Sequence, residues 1–318
     1  EALNLSNVAF VEEMKNTGRL QNNGPTVSTY KKALQIIKNK SDIDIQLLAI
    51  PGIRHSVISD EAIISVEDRF DALFLMDVDV YDNVNSLVTG SAQTQHVGNT
   101  VTNFKNRALD SNFAAAYYPD VIMPDPTTKT FVSVPPTVAV LGAFALNDAK
   151  GFPWFAPAGF TRGALATVTE ATVALNRDNL DKLYDADINP LVSFPNSNGL
   201  VVWGQKTLQQ AQSALDRVNV RRLLIEIRRQ VRTVANSFLF EPNRAATLAR
   251  FSAAVNPKLQ AIQQRSGVER FKVVIDTTTT TQADVENNTV RGKIFVQPTR
   301  TAEFISLDFV VTNAGAQI

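Results

Sequence analysis

Between Val220 and Phe238 apolar residues recur at alternating intervals of four and three, at Val220, Leu224, Ile227, Val231, Val234 and Phe238. On a helix of 3.6 residues per turn this spacing forms one continuous stripe. The pattern predicts one long helix over residues 208–238, closed by Phe240, Glu241, Pro242 and Asn243. Burying each such side chain contributes roughly 1.5–3 kcal/mol, so this helix should be a centre of its domain.

Upstream, residues 4–14 carry a recurring apolar position, and 26–40 read as a helix with Tyr30, Ala33, Leu34 and Ile37 on its apolar face and Ser28 or Thr26 as cap. Residues 43–50 form a strand-like run stopped by Pro51 and Gly52. A helix over 58–70, a strand over 72–80, a helix over 100–109 and a strand over 113–123 follow. Strands without alternation, separated by helical lengths, indicate a mostly parallel sheet covered on both faces.

Pro124, Pro126, Pro135 and Pro136 interrupt regular structure, and Pro135 and Pro136 then open a helix to Ala149. The loop 152–163 is too apolar to be left in water and reads as a hinge or hydrophobic plug. Beyond it the pattern gives short helices over 165–176 and 177–184, strands over 191–194 and 200–203, and a helix over 244–264 that Pro257 should kink or split. Strands over 271–275, 291–296 and 303–311 end the chain, and the threonine tract 277–281 reads as an exposed loop. In the last strand Ile305, Leu307, Phe309 and Val311 share one face.

The expected fold class is therefore α/β plus α+β in two domains. Residues 1–150 give a mostly parallel sheet flanked by helices. Residues 151–318 give a C-terminal domain of helices packed on a small sheet, with a terminal strand or arm from about 303.

Composition narrows function by exclusion. Lys plus Arg equals Asp plus Glu at 31 each, which leaves no global basic field for nucleic acid. The absence of cysteine excludes disulfides, thiolate metal sites and a cysteine nucleophile. No apolar run approaches the roughly 20 residues of a membrane helix, so the chain reads as soluble and untargeted. It begins with Glu1, which is read as the start of a fragment lacking an N-terminal arm.

Local charge is concentrated on the long helix, where Arg217, Arg221, Arg222, Arg228, Arg229 and Arg232 flank the stripe with Asp216 and Glu226 as the near acids. Their plain reading is a solvated face with stems along the core, and their sharper one a surface for an acidic partner. No phosphate-binding loop, dinucleotide fingerprint or nucleophile elbow occurs, and His55 and His96 lie in separate segments without metal-ligand spacing. Asp77, Asp79 and Asp82, at a strand end, are the nearest approach to a catalytic or metal site. They sustain one alternative, an α/β enzyme, and the arginine helix sustains another, a nucleic-acid-binding module.

Several short stretches carry a more specific signal. Val134-Pro135-Pro136 through Asn147-Asp148-Ala149-Lys150-Gly151, and then Pro153 to Gly159 with Arg162 and Gly163, resemble the centre of contractile phage tail sheath proteins. Val202-Trp203-Gly204-Gln205-Lys206-Thr207 looks like the family's Trp-Gly-Arg-Thr element, with Gln205-Lys206 as a departure. Val218 to Leu223 looks like its Asn-Val-Arg-Arg-Leu helix start, Phe240-Glu241-Pro242-Asn243 like its helix stop, and Gly292 to Ile294 with Thr301 to Ile305 like its closing strands.

Pro157, Gly159, Arg162, Trp203, Arg221, Arg222, Glu241, Pro242 and Asn243 are the structural residues of these motifs. The resemblance implies a non-enzymatic, cofactor-free virion protein of contractile tails, tailocins or other contractile injection systems, made in the host cytoplasm. Such a subunit polymerises as a helical homo-oligomer around a tail tube protein and contracts to drive the tube through the host envelope, with neither membrane nor nucleic acid as partner.

The C-terminal domain is expected to form the inner, tube-facing layer. Arg217, Arg221, Arg228, Arg229 and Arg232 are candidates to face the tube or a neighbouring subunit, with Glu226 and Glu241 pairing with some arginines first. Ile305, Leu307, Phe309 and Val311 are inter-subunit strand candidates. Without the N-terminal arm the fragment is expected to stay monomeric.

Overall fold

A computed structural model describes residues 25–40, 42–79, 93–194, 199–276, 278–301 and 303. The expectations for 4–14, Asp82, Ile305, Leu307, Phe309, Val311 and the tail 313–318 lie outside these residues, as does the side chain of His96.

In chain order the elements are α1 (Pro25–Ile37), β1 (Leu47–Ala49), α2 (Ser56–Arg69), β2 (Leu73–Asp77), α3 (Gln93–Lys105), β3 (Ala114–Tyr118), β4 (Val121–Pro124), β5 (Phe131–Val134) and α4 (Pro136–Lys150). They continue as α5 (Gly159–Arg162), β6 (Ala164–Leu165), β7 (Glu170–Ala171), α6 (Arg177–Tyr184), β8 (Ile188–Ser193) and β9 (Leu200–Val202). Last come α7 (Val218–Asn236), α8 (Ala245–Gln264), β10 (Val268–Val274), α9 (Gln282–Glu286) and β11 (Lys293–Pro298).

A six-stranded sheet of order β1-β2-β3-β8-β9-β6 is the frame. Its first four strands are parallel, and β9 and β6 extend it antiparallel. Every residue of β2 and β3 is buried, which is why neither strand alternates in sequence. Phe74 and Met76 of β2 face a core shared with α1, α2, α3 and α6, while Leu73 and Leu75 face one shared with α4 and the start of α7. Because β8 and β9 return to this sheet, it draws strands from both sides of residue 150.

A third core lies beyond the sheet, where Trp154, Leu223 and Ile227 meet Val255, Leu259 and Ile262 of α8 and Val268, over the two-stranded sheet β10-β11. The apolar loop around Trp154 is thus a plug. Trp154 is buried, its Nε1 donates to the Arg265 carbonyl at 3.1 Å, and Phe152 stacks on it at 4.9 Å. Gly267 is required there, since a Cβ would stand 2.6 Å from Ile262 and 3.1 Å from the indole.

Several expectations are corrected. Residues 165–176 do not form a helix: β6 pairs with β9 and β7 with β4, and these non-local ladders override the local pattern. The expected strand 113–123 breaks at Pro119 into β3 and β4, and β4 joins a separate three-stranded sheet of order β5-β4-β7. Pro257 sits inside one unbroken helix, α8. Helix α1 begins at Pro25, so Thr26 and Ser28 lie within it rather than capping it. In the threonine tract Thr281 closes a capping box with Asp284 at the start of α9, and Thr280 is buried.

Candidate functional site

The long helix is shorter than predicted, because residues 208–213 are non-helical and Ala214–Asp216 form only a single 3-10 turn before it. Leu208 donates its amide to the Ala114 carbonyl at 2.9 Å, Thr207 donates to Asp216 at 3.0 Å, and Lys206 and Arg217 form an antiparallel bridge. Helix α7 therefore starts at Val218, whose amide donates to the Gln205 carbonyl at 2.8 Å. Leu224, Ile227, Val231 and Val234 face the third core as the stripe predicts. A second face, Val218 and Ile225, packs on the sheet. The first half of α7 is thus buried on two sides and joins the sheet core to the third core.

That burial decides what its arginines can do. Arg222 is 3 % exposed and bidentate to Asp148, at 2.9 and 2.6 Å, with its guanidinium 4.9 Å from the Phe144 ring centre. Arg221 lies 3.6 Å over Phe113, and its buried Nε has no hydrogen-bond partner among the described residues. Burial lowers the Arg221 pKa to about 10, with the Arg228 charge acting in the same direction, and the group stays cationic. Arg221, expected to face a partner, is 8 % exposed and packs in the interior of this chain.

The outer half differs. Arg228 is exposed, 4.9 Å over Phe70, which meets Phe113 edge-on at 5.4 Å, so an edge-to-face pair of rings carries one arginine on each outer side. Arg229 pairs with Asp44 and Arg232 with Asp71 at 3.8 Å, both pairs half open to solvent. Arg217 pairs with Glu303 at 2.8 Å and Asp216 at 3.4 Å. The partners are thus Asp44, Asp71, Asp148, Asp216 and Glu303, not the expected acids: Glu226 accepts from Gln46 and Gln230, and Glu241 pairs with Arg250. Of these partners only Asp216 was legible beside the helix; the others come from distant segments.

The carboxylate alternative meets a different outcome. Asp77 is 3 % exposed and accepts from Gly52 N and Thr137 N at 2.9 Å each and from Thr137 Oγ1 at 3.0 Å. It caps α4, whose own N-cap is Pro135 without a side-chain cap bond. Burial raises its pKa against the pull of Arg54. Beside it a buried Arg54–Asp120 pair fills the strand ends, and burial pushes Asp120 up to about 6. Among the described residues no group of three or more His, Cys, Asp or Glu is placed to hold a metal. His55 stands at the N-cap of α2.

The remaining motif residues hold the frame. Pro157 is buried, Gly159 opens α5 at φ +78°, and Arg162 donates to the Ala156 carbonyl at 3.2 Å beneath Phe155. Trp203 is 41 % exposed and packs with Phe160 and Phe194, a surface aromatic cluster that the sequence pattern did not single out. After α7, Phe240 is fully exposed at φ 67°, and beyond Pro242 the Asn243 side chain donates to the Thr289 carbonyl at 3.1 Å. No helix among the described residues is long and apolar enough to cross a membrane.

Residues 210–312 match the family described as the phage tail sheath C-terminal domain. The chain is 37 % identical over 183 residues to the tail sheath protein of Vibrio phage KVP40, covering 58 % of this chain and 27 % of that protein. It is 32 % identical over 183 residues to the tail sheath protein of Enterobacteria phage T4, covering 58 % and 28 %. The chain thus matches about a quarter of the length of these curated relatives.

Its fold superposes on a chain of the anti-feeding prophage baseplate with a TM-score of 0.69 at 23 % identity, covering 89 % of this chain and 72 % of that one. It superposes equally, TM-score 0.69 at 22 % identity, on the contracted sheath complex of the extracellular contractile injection system PVC, covering 88 % and 74 %. Over residues 210–312 the chain is thus similar to the phage tail sheath C-terminal domain family, and over 183 residues to the tail sheath proteins of two phages.

Proposed function

We propose that this chain is part of a structural subunit of a contractile tail sheath. In this reading the subunit polymerises helically around a tail tube and shortens to drive the tube through the host envelope. The observation that carries it is the 37 % identity to a tail sheath protein over 183 residues, on a fold shared with a chain of the contracted sheath complex of an extracellular contractile injection system. The chain is then a structural protein rather than an enzyme, works in the virion tail and is made in the host cytoplasm.

The physics requires no nucleotide. Head-to-tail contacts that do not close generate a helical lattice, and a metastable extended lattice relaxes when triggered, its compact subunits moving as rigid bodies. The two-unit division becomes an α/β unit built on residues 1–150 with the returning strands β8 and β9, and a tube-facing unit from the rest of 151–318. The pair β10-β11 has no further strand beside it among the described residues, which supports strand addition between subunits. Ile305, Leu307, Phe309 and Val311 are the donor face of that exchange.

Arg228, Arg229 and Arg232 supply the charged part of the assembly surface, each being exposed. Co-sedimentation of the full-length protein with its tail tube tests the reading: the protein should pellet with tubes and stay soluble without them. Equal distribution in both conditions would refute it.

A further inference from the structure

Three distant stretches meet at the start of α7. Gln205, 4 % exposed, donates from Nε2 to Thr301 Oγ1 at 2.7 Å and to Glu303 Oε1 at 3.0 Å. Arg217 Nε donates to the same Oε1 at 2.8 Å, and both charged side chains are 23 % exposed. Backbone fixes the two donors, because the Gln205 carbonyl accepts from Val218 N at 2.8 Å and Arg217 is bridged to Lys206. The chain leaving β11 at Pro298 is therefore tied at Thr301 and Glu303 to the root of α7, at the border of the two units.

We propose that Gln205 and Arg217 are positioning residues for the C-terminal strand, setting the point and register from which residues 304–311 reach a neighbouring copy. The inference rests on the sheath reading above. A one-residue slip in register would turn Ile305, Leu307, Phe309 and Val311 to the wrong face of an acceptor sheet. With the tie in place Ile305 lies two residues from a fixed point, a reach of about 7 Å. Without it the last hold is the Thr299 amide on the Gly267 carbonyl at 3.3 Å. The added slack dilutes the strand at its acceptor.

The test uses Arg217→Glu, Glu303→Arg and the double reversal in the full-length protein. Amide exchange over 299–303 should rise about ten-fold in each single variant and fall back part of the way in the double, where the 217–303 ion pair is restored with its charges exchanged while the Gln205 donor keeps only Thr301. Sheath yield on tubes should fall roughly ten-fold in the singles and recover in the double, with melting midpoints unchanged. Exchange or assembly like wild type in the singles, or a double no better than the singles, would overturn the proposal. A wild type that never forms sheaths removes the sheath reading, and the role with it, while the exchange pattern still decides whether the tie exists.

Discussion

Arg221 and Arg222 are adjacent in sequence yet are held in different ways. Arg222 has a carboxylate, whereas Arg221 has only an aromatic face. Asp148→Ala leaves the Arg222 cation buried without its partner, so urea denaturation should show a loss of about 3–5 kcal/mol. Arg229→Ala, which opens the exposed pair with Asp44, should cost under about 1 kcal/mol. Equal losses would place both pairs in one environment and contradict the burial argument.

Asp120 carries a pH signature. Burial holds its carboxyl at about 6, above the ordinary 3.8, so between those values the folded chain binds its proton more readily than the unfolded chain. The stability this group contributes is fully present below its unfolded pKa and is lost as pH rises through its folded pKa, by about 1–3 kcal/mol. Asp120→Asn should remove that component, so the difference in unfolding free energy between variant and wild type should change between pH 4 and pH 7. A difference constant with pH would refute the assignment. None of this was legible in the sequence, where a charged residue reads alike whether solvated or stacked on a ring.

At the scale of elements, the long helical stripe, the proline-led start of α4 and the strands β10 and β11 were legible because each is dictated locally, by 3.6-residue spacing, fixed φ or β-like residue runs. The first ten residues assigned to the long helix were not, because Leu208 finds its hydrogen-bond partner in Ala114. Strands β5, β6 and β7 were missed for the same reason, being two to four residues long and defined by partners distant in the chain. Asp77 shows how an element's capping group can be supplied from another strand. Asp77→Ala leaves the Thr137 and Gly52 amides without their acceptor, and chemical denaturation should register about 2–4 kcal/mol of destabilisation. A loss below about 0.5 kcal/mol would mean that the helix start finds another acceptor.

For the whole molecule, α7 is the element common to the sheet core and the third core, and its buried arginines are frame while its outer ones are exposed. Reversing Arg228 and Arg232 to Glu in the full-length protein should weaken assembly on the tube, most visibly at low salt where surface charge is least screened. Unchanged assembly at low salt would move the tube contact elsewhere. Without tubes the 318-residue chain should scatter light as a monomer, and spontaneous helical assemblies would contradict an assembly that depends on the tube. The most direct measurement is electron microscopy of the full-length protein mixed with its tail tube. The account predicts helical sleeves of repeating subunits around the tube; bare tubes beside dispersed protein, under conditions where the protein is folded, would contradict it.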